Sequence, residues 1–410
     1  MMSNAQYMER LSQIECHDST FPCHENPLVF AKANGSKVWD VESREYLDLC
    51  AGFGVMNLGH NPSFQRDVFH RFAESGLEMV HGMGDVYPSR AKVDFIDAML
   101  ALLPDKIRRA ALSLSGAGSV EIALKTCLLR KPNGKIVVFD GGYHGLDLGV
   151  LPLASRSDFK SPFEGWLPRD QVITVPFDIP EELLRKTLSD NCISGMVVEP
   201  VQGRSGVKIP SQGWLAVLRA VADDYNALLV FDEIFTGCGR IGSFSSSHEV
   251  LPDLLCLGKA LGGGLPLSSC CGTEEAFSHW PKSNGEAIHT GTFFGHPLSC
   301  ELGSAFLETF QRENLAEKSA VLGLWALKYL ENQVGGHHSV FNIRGKGLMI
   351  AIELAPGKGV DLMNRLREKG IIALVSGSSG EVLSLTPALN ISQSTFEQGL
   401  SLVCDCIRKI

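Results

Sequence analysis

No apolar run in the 410-residue sequence approaches the ~20 residues of a membrane-spanning helix, which argues against a helical membrane protein. Residues 1–15 are polar and mixed in charge, so no secretory signal core is expected there. Positive charge is also short. A total of 37 Lys and Arg against 46 Asp and Glu leaves a net charge of −9, which argues against nucleic-acid binding through a basic surface. None of the 12 cysteines falls in the Cys-x-x-Cys spacing of a zinc site. Cys16-His17 and Cys23-His24 lie close together and Cys404 and Cys406 flank Asp405, but no metal is expected from them. Cys127, Cys256 and Cys300 sit in apolar stretches, where a thiol behaves as a small hydrophobe. The expectation is a soluble chain with free thiols in a reducing compartment, the cytoplasm, with neither membrane nor nucleic acid as a partner.

What is present is the material for a large core. Hydrophobic residues make up 44% and charged residues 20%, the balance of a globular enzyme, and the length allows two or more domains. Residues 1–30 read as a loosely packed arm. Residues 38–49 read as a hairpin: Val38-Trp39-Asp40-Val41, a polar turn at Glu42-Ser43-Arg44, then Tyr46-Leu47-Asp48-Leu49. From about residue 90, short apolar runs at 110–114, 135–140, 195–199, 227–232 and 253–257 alternate with helical periods at 91–103, 119–130, 180–189 and 214–225. That alternation predicts a mostly parallel sheet covered on both faces. Ligands of such sheets gather beyond the carboxyl ends of the strands, and Asp140, Glu199, Asp232 and Lys259 all fall there. After Pro297, helical stretches at 298–312 and 315–333 lead to shorter elements at 347–353, 360–369 and 371–374 and a last helix from Ser394. The expected division is an N-terminal segment, 1–60, a large domain, 61–300, and a C-terminal segment, 301–410. The first and last combine in one smaller α+β domain.

A lysine in a loop is ordinarily a surface residue, but the surroundings of Lys259 argue otherwise. The run Leu254-Leu255-Cys256-Leu257 delivers it to the bend Gly262-Gly263-Gly264, and the run Ala227-Leu228-Leu229-Val230-Phe231 ends in Asp232-Glu233. An amine and an acid at the ends of buried strands are what a pyridoxal phosphate enzyme needs. The lysine forms the Schiff base and the acid keeps the ring nitrogen protonated. Ser115-Gly116-Ala117-Gly118-Ser119 follows a strand and opens a helix, so its backbone N–H groups suit a single phosphate. It has neither the lysine of a P-loop nor the spacing of a dinucleotide fingerprint. Tyr143, in Asp140-Gly141-Gly142-Tyr143-His144-Gly145, stands just past a strand end, where an aromatic either packs in the core or stacks on a planar cofactor.

In these motifs the chain resembles the class III aminotransferases of fold type I, the ω-aminotransferase group. The resemblance runs over nearly the full length: Gly35 with Val38-Trp39-Asp40-Val41, Asn57-Leu58-Gly59-His60, Ser115-Gly116-Ala117, Tyr143-His144-Gly145 and Glu199-Pro200-Val201-Gln202-Gly203. It is densest at Phe231-Asp232-Glu233-Ile234, Thr236-Gly237, Gly239-Arg240 and the segment 252–264, and it ends with Gly291-Thr292-Phe293, Gly295-His296-Pro297-Leu298 and Arg344-Gly345-Lys346-Gly347. It implies an α/β fold-type I architecture and pyridoxal 5′-phosphate as cofactor. Lys259 would carry the cofactor and then shuttle the proton, and Asp232 would pair with the ring nitrogen. Tyr143 and Ile234 would cover the two ring faces, Gly116 and Ala117 would hold the phosphate, and His144 and Glu199 would border the cofactor. Thr292 would reach the phosphate of the neighbouring subunit, which implies a homodimer with shared active sites.

The departures bear on substrate. Relatives that use 2-oxoglutarate have arginine where this chain has Leu146, glutamate where it has Arg204, and arginine at the place of Ser384. Arg204 is either a carboxylate fork of its own or a solvated loop residue. Phe235 replaces a glutamine that contacts the cofactor, and Phe53 fills a position that touches substrate. The expected partners are a small-molecule amino donor and an oxo-acid acceptor, with pyruvate favoured over 2-oxoglutarate. A same-fold aminomutase, racemase or decarboxylase would share Lys259 and Asp232, and a non-catalytic scaffold would not need them.

Overall fold

The computed structural model describes residues 2–20, 27–76, 80–82, 86–168 and 170–410, so the Cys23-His24 pair lies outside the described residues. Among the described residues no group of three or more His, Cys, Asp or Glu could hold a metal ion, and no helix is long and apolar enough to cross a membrane.

β1 (Phe30–Asn34), β2 (Lys37–Asp40) and β3 (Glu45–Asp48) form an antiparallel meander, with the expected hairpin in its second half. Asp40 closes the turn because its Oδ1 accepts the N–H groups of Glu42 (3.0 Å) and Arg44 (2.9 Å). The segment before it is not a loose arm throughout. Asn4–Ile14 is a helix opened by a capping box of Ser3 and Gln6, and buried Asn4 donates to Asp40 and Glu42 at 3.0 Å each.

β4 (Ile107–Ser113), β5 (Lys135–Phe139), β6 (Val172–Val175), β7 (Ile193–Val198), β8 (Leu228–Asp232), β9 (Leu254–Leu257) and β10 (Ser268–Thr273) form the large sheet, in the order β4-β10-β9-β8-β7-β5-β6. β10 runs antiparallel to β4 and β9, and the remaining pairs are parallel. Alternate residues explain the continuous apolar runs. Val137, Met196, Leu229 and Leu255 enter one core with the helix Trp214–Asp224, while Val138, Val197, Val230 and Cys256 enter another with the helix Gly116–Arg130. The expected helices form within a few residues of the periodic segments, as Arg90–Leu100, Gly116–Arg130, Glu181–Leu188 and Trp214–Asp224. The sequence reading lacked β6 and β10. β10, Ser-Ser-Cys-Cys-Gly-Thr, is composed like a turn and yet is buried along almost its whole length.

β11 (Val340–Lys346), β12 (Met349–Leu354), β13 (Ile371–Ile372), β14 (Leu374–Ser376) and β15 (Val382–Leu385) complete the strands. β11, β12, β15 and β14 make an antiparallel sheet, whereas β13 joins the first meander by parallel pairing with β3, Ile371 opposite Leu47. The strand expected over 347–353 is β12, and it is the second arm of a hairpin with β11: the chain reverses at Gly347, whose φ is +57°.

Arg240 holds these parts together. Its fully buried guanidinium donates to the carbonyls of Leu348 (2.9 Å) and Pro387 (2.6 Å) and to Asn57 Oδ1 (2.5 Å). Burial lowers its pKa to about 9, partly offset by Cys50 and Asp48.

Candidate active site

The carboxyl ends of β5, β7, β8 and β9 bring His144, Glu199, Asp232 and Lys259 to one edge of the sheet. Asp232, the last residue of β8, is only 4% exposed; its Oδ2 lies 2.7 Å from His144 Nδ1 and its Oδ1 accepts the Ile234 N–H at 3.1 Å. Burial works against charge on His144, but its hydrogen bond to Asp232, with the charges of Asp232 and Glu199, raises its pKa above the ordinary imidazole range. The hydrogen bond between His144 Nδ1 and Asp232 Oδ2 fixes the orientation of the carboxylate. Glu199 accepts the N–H groups of Tyr143 (2.9 Å) and Gly203 (3.2 Å). Its burial pushes the carboxyl pKa up to about 7; His144 and the two N–H groups oppose the shift and Asp232 adds to it.

Lys259 follows the end of β9 in the left-handed region, at φ +47°, a strained conformation for a residue with a side chain. Its Nζ stands 4.6 Å from the centroid of the Phe235 ring. Burial lowers the amine pKa and the Arg204 charge pushes the same way, against the pull of Asp232 and Glu199. A larger share of neutral, nucleophilic amine follows.

The helix Gly116–Arg130 begins at this edge, capped by Ser115, whose Oγ accepts the Gly118 N–H at 3.0 Å. The first-turn N–H groups of Gly116 and Ala117 have no acceptor one turn back, which leaves them for an anion. Gly116 is demanded by packing: a Cβ there would lie 2.8 Å from Ile234 Cδ1.

Other expected residues fall differently. Asp140 is a turn former, its Oδ1 accepting from Gly141 N and Ser155 Oγ. Glu233 turns away from Asp232 into the protein, where Ser245 Oγ (2.6 Å), Ser246 N (2.8 Å) and Thr236 Oγ1 (3.3 Å) donate to it; burial raises it to about 7 as well. Thr292 stands exposed, and among the described residues no hydrogen bond joins it to the Lys259 cluster. Phe53 is 57% exposed at φ +58°, inside the left-handed run 51–54. The sequence reading missed Phe159, whose ring meets Tyr143 edge-on at 6.4 Å and lies 4.4 Å from the Arg156 guanidinium carbon. No local pattern marks it, because its neighbour Tyr143 arrives from another segment.

An anion cradle at a helix start, a buried carboxylate fixed by a histidine, an amine of lowered pKa and a nearby aromatic fit the phosphate, ring nitrogen, aldehyde and ring face of pyridoxal phosphate. Fold and site together define a pyridoxal-phosphate enzyme of fold type I. The chain belongs to the class III aminotransferases, whose family description, aminotransferase class-III, matches residues 21–407. It is 33% identical to the acetylornithine aminotransferase of Methanopyrus kandleri, over 93% of this chain and 95% of that one. It is 28% identical to a 5-aminovalerate aminotransferase of Pseudomonas aeruginosa, over 94% of each. The ornithine aminotransferase structure of Toxoplasma gondii shares the fold, with a TM-score of 0.90 at 24% identity over 100% of this chain and 96% of that one.

Proposed function

We propose that this aminotransferase moves an amino group from an ω- or α-amino acid or amine to a monocarboxylic oxo acid, pyruvate rather than 2-oxoglutarate, in two half-reactions of ping-pong form. The carrying observation is the state of the two places that hold arginine in relatives using 2-oxoglutarate. Leu146 is exposed and apolar, and Ser384 Oγ lies 2.5 Å from Ser376 Oγ, so a second substrate carboxylate meets no guanidinium at either. The acetylornithine and 5-aminovalerate named for the relatives support an ω-amino donor.

When bound, the cofactor supplies an electron sink for the carbanion. Lys259 Nζ, with its lowered pKa, would hold the cofactor and move the proton at the amino-bearing carbon of the substrate. Asp232, oriented by His144, would hold the ring nitrogen protonated. Gly116 and Ala117 N–H groups would hold the phosphate and Tyr143 and Ile234 would border the ring, while Glu199 holds the Tyr143 backbone in place.

Thr292 serves a second copy of the chain, so the unit is a homodimer. Its exposure, with Ile288 and Phe293 exposed on the same stretch, supports a covering partner. The β3–β13 pairing supports grouping 1–60 with 301–410 as the smaller unit beside 61–300.

Single-turnover absorbance of the bound cofactor with a donor panel (β-alanine, 4-aminobutyrate, 5-aminovalerate, alanine, glutamate) tests the substrate reading. Stoichiometric oxo product with converted cofactor is expected; isomerised product without it means an aminomutase or racemase. Glutamate reacting as fast as alanine overturns the acceptor preference. Sedimentation equilibrium at the mass of one chain overturns the dimer.

A further inference from the structure

Arg204 differs from its neighbours Arg156 and Arg344 in having, among the described residues, no carboxylate to neutralise it. Arg156 pairs with Asp158 and Arg344 with Glu353. Among the described residues no carboxylate pairs with the Arg204 guanidinium and no acceptor takes a hydrogen bond from it. It is held by rings instead: its guanidinium carbon lies 4.7 Å from the Tyr143 centroid and 5.5 Å from that of Phe159. Stacking of this kind orients the planar fork while leaving its N–H edge open.

The backbone beneath it is fixed from both sides. Gly203 N–H donates to Glu199 at 3.2 Å, and the Arg204 carbonyl accepts the Gly377 N–H at 3.1 Å. Arg344 Nε reaches the carbonyls of Gly206 and Val207 at 3.0 Å each. Burial and, to a smaller degree, the Arg204 charge lower the Lys259 pKa. A guanidinium stacked on Tyr143, the aromatic of the same site, and unpaired among the described residues is the arrangement that recognises a carboxylate bidentately.

We propose that Arg204 is the specificity-determining residue for substrate, gripping the single carboxylate of the amino donor and of the oxo acid in turn. The inference rests on the aminotransferase reading of the same site and names what selects its substrates. Leu146 and Ser384 add no second grip, so one carboxylate per substrate is the rule that Arg204 sets.

The test compares half-reactions of matched donors, 5-aminovalerate against pentylamine, in wild type, Arg204→Gln and Arg204→Lys. Losing a charged bidentate bond predicts that the kcat/KM ratio of acid to amine falls about 50-fold in Arg204→Gln. Arg204→Lys, which keeps the charge without the fork, recovers part of the ratio. Calorimetry with propionate, independent of turnover, should show binding to wild type that Arg204→Gln lacks. An unchanged ratio, or propionate binding equally to both proteins, overturns the proposal. If wild type converts neither donor, the donor reading falls, and the propionate comparison still decides the role of Arg204.

Discussion

Asp232 and Arg204 both carry charge beside Lys259, yet they are built in opposite ways. Asp232 is buried at a strand end with both oxygens bonded within the protein, whereas Arg204 lies exposed on a loop with its donors unused. The difference separates two tasks. In the proposed site, the wall for the cofactor is completed by the chain's own hydrogen bonds, so it is oriented before any ligand arrives. The wall proposed for substrate keeps unfilled donors and exposed apolar groups such as Phe53, so its partner would be chosen by what fills them.

The sharpest way to break this contrast is at the cofactor wall. Lys259→Ala should abolish the visible absorbance of the bound cofactor and cut turnover on the order of 10^4-fold. Asp232→Asn, which replaces the carboxylate beside His144 by a neutral amide, should lower kcat on the order of 10^3-fold for every donor alike; a loss confined to one donor would dissolve the division of tasks. At the substrate wall, Arg344→Ala frees the loop 203–207 and should raise KM for 5-aminovalerate about tenfold while leaving the pentylamine KM nearly unmoved.

Glu199 lies between the walls, and its titration can be followed. Its carboxyl pKa is raised from 4.5 to about 7 in the fold, so the native state binds a proton that the unfolded chain releases. That contribution to stability is complete below about pH 4.5 and is lost as pH rises through about 7, a change on the order of 3 kcal/mol. Melting temperature plotted against pH should therefore fall less steeply in Glu199→Gln than in wild type across this window, and Glu233 and His144, both raised, contribute to the slope that remains. Equal slopes would place the proton elsewhere. The smallest effect is expected at Phe53: Phe53→Gly relieves a left-handed conformation and should stabilise the fold by about 1 kcal/mol in chemical denaturation, while changing which donors are accepted.

The cofactor wall was legible in the sequence because each of its groups ends a buried strand or opens a helix. Position along the chain then specifies position in space, as it does for Asp232, Lys259 and Gly116. The substrate wall was not legible to the same degree. Phe159 and Arg204 meet through Tyr143 from three separate segments, and no periodicity encodes such a meeting. β10 escaped notice because its small polar residues are buried by their neighbours rather than by their own hydrophobicity. The N-terminal helix had a readable signal, Ser3 and Gln6 at capping-box spacing, but it buries only Asn4, so its apolar residues mark no core.

The acceptors of Arg240 also set an order of events during synthesis. Asn57 leaves the ribosome first, Arg240 follows 183 positions later, and Pro387 another 147 positions after that. Until then the guanidinium lacks its last carbonyl and keeps its water, and β3 waits equally for Ile371 to emerge. A nascent chain can thus complete its large sheet, with Lys259 and Asp232 in place, before Arg344 and Gly377, which fasten the loop of Arg204, have emerged. The ability to take up cofactor matures ahead of the ability to discriminate among amines.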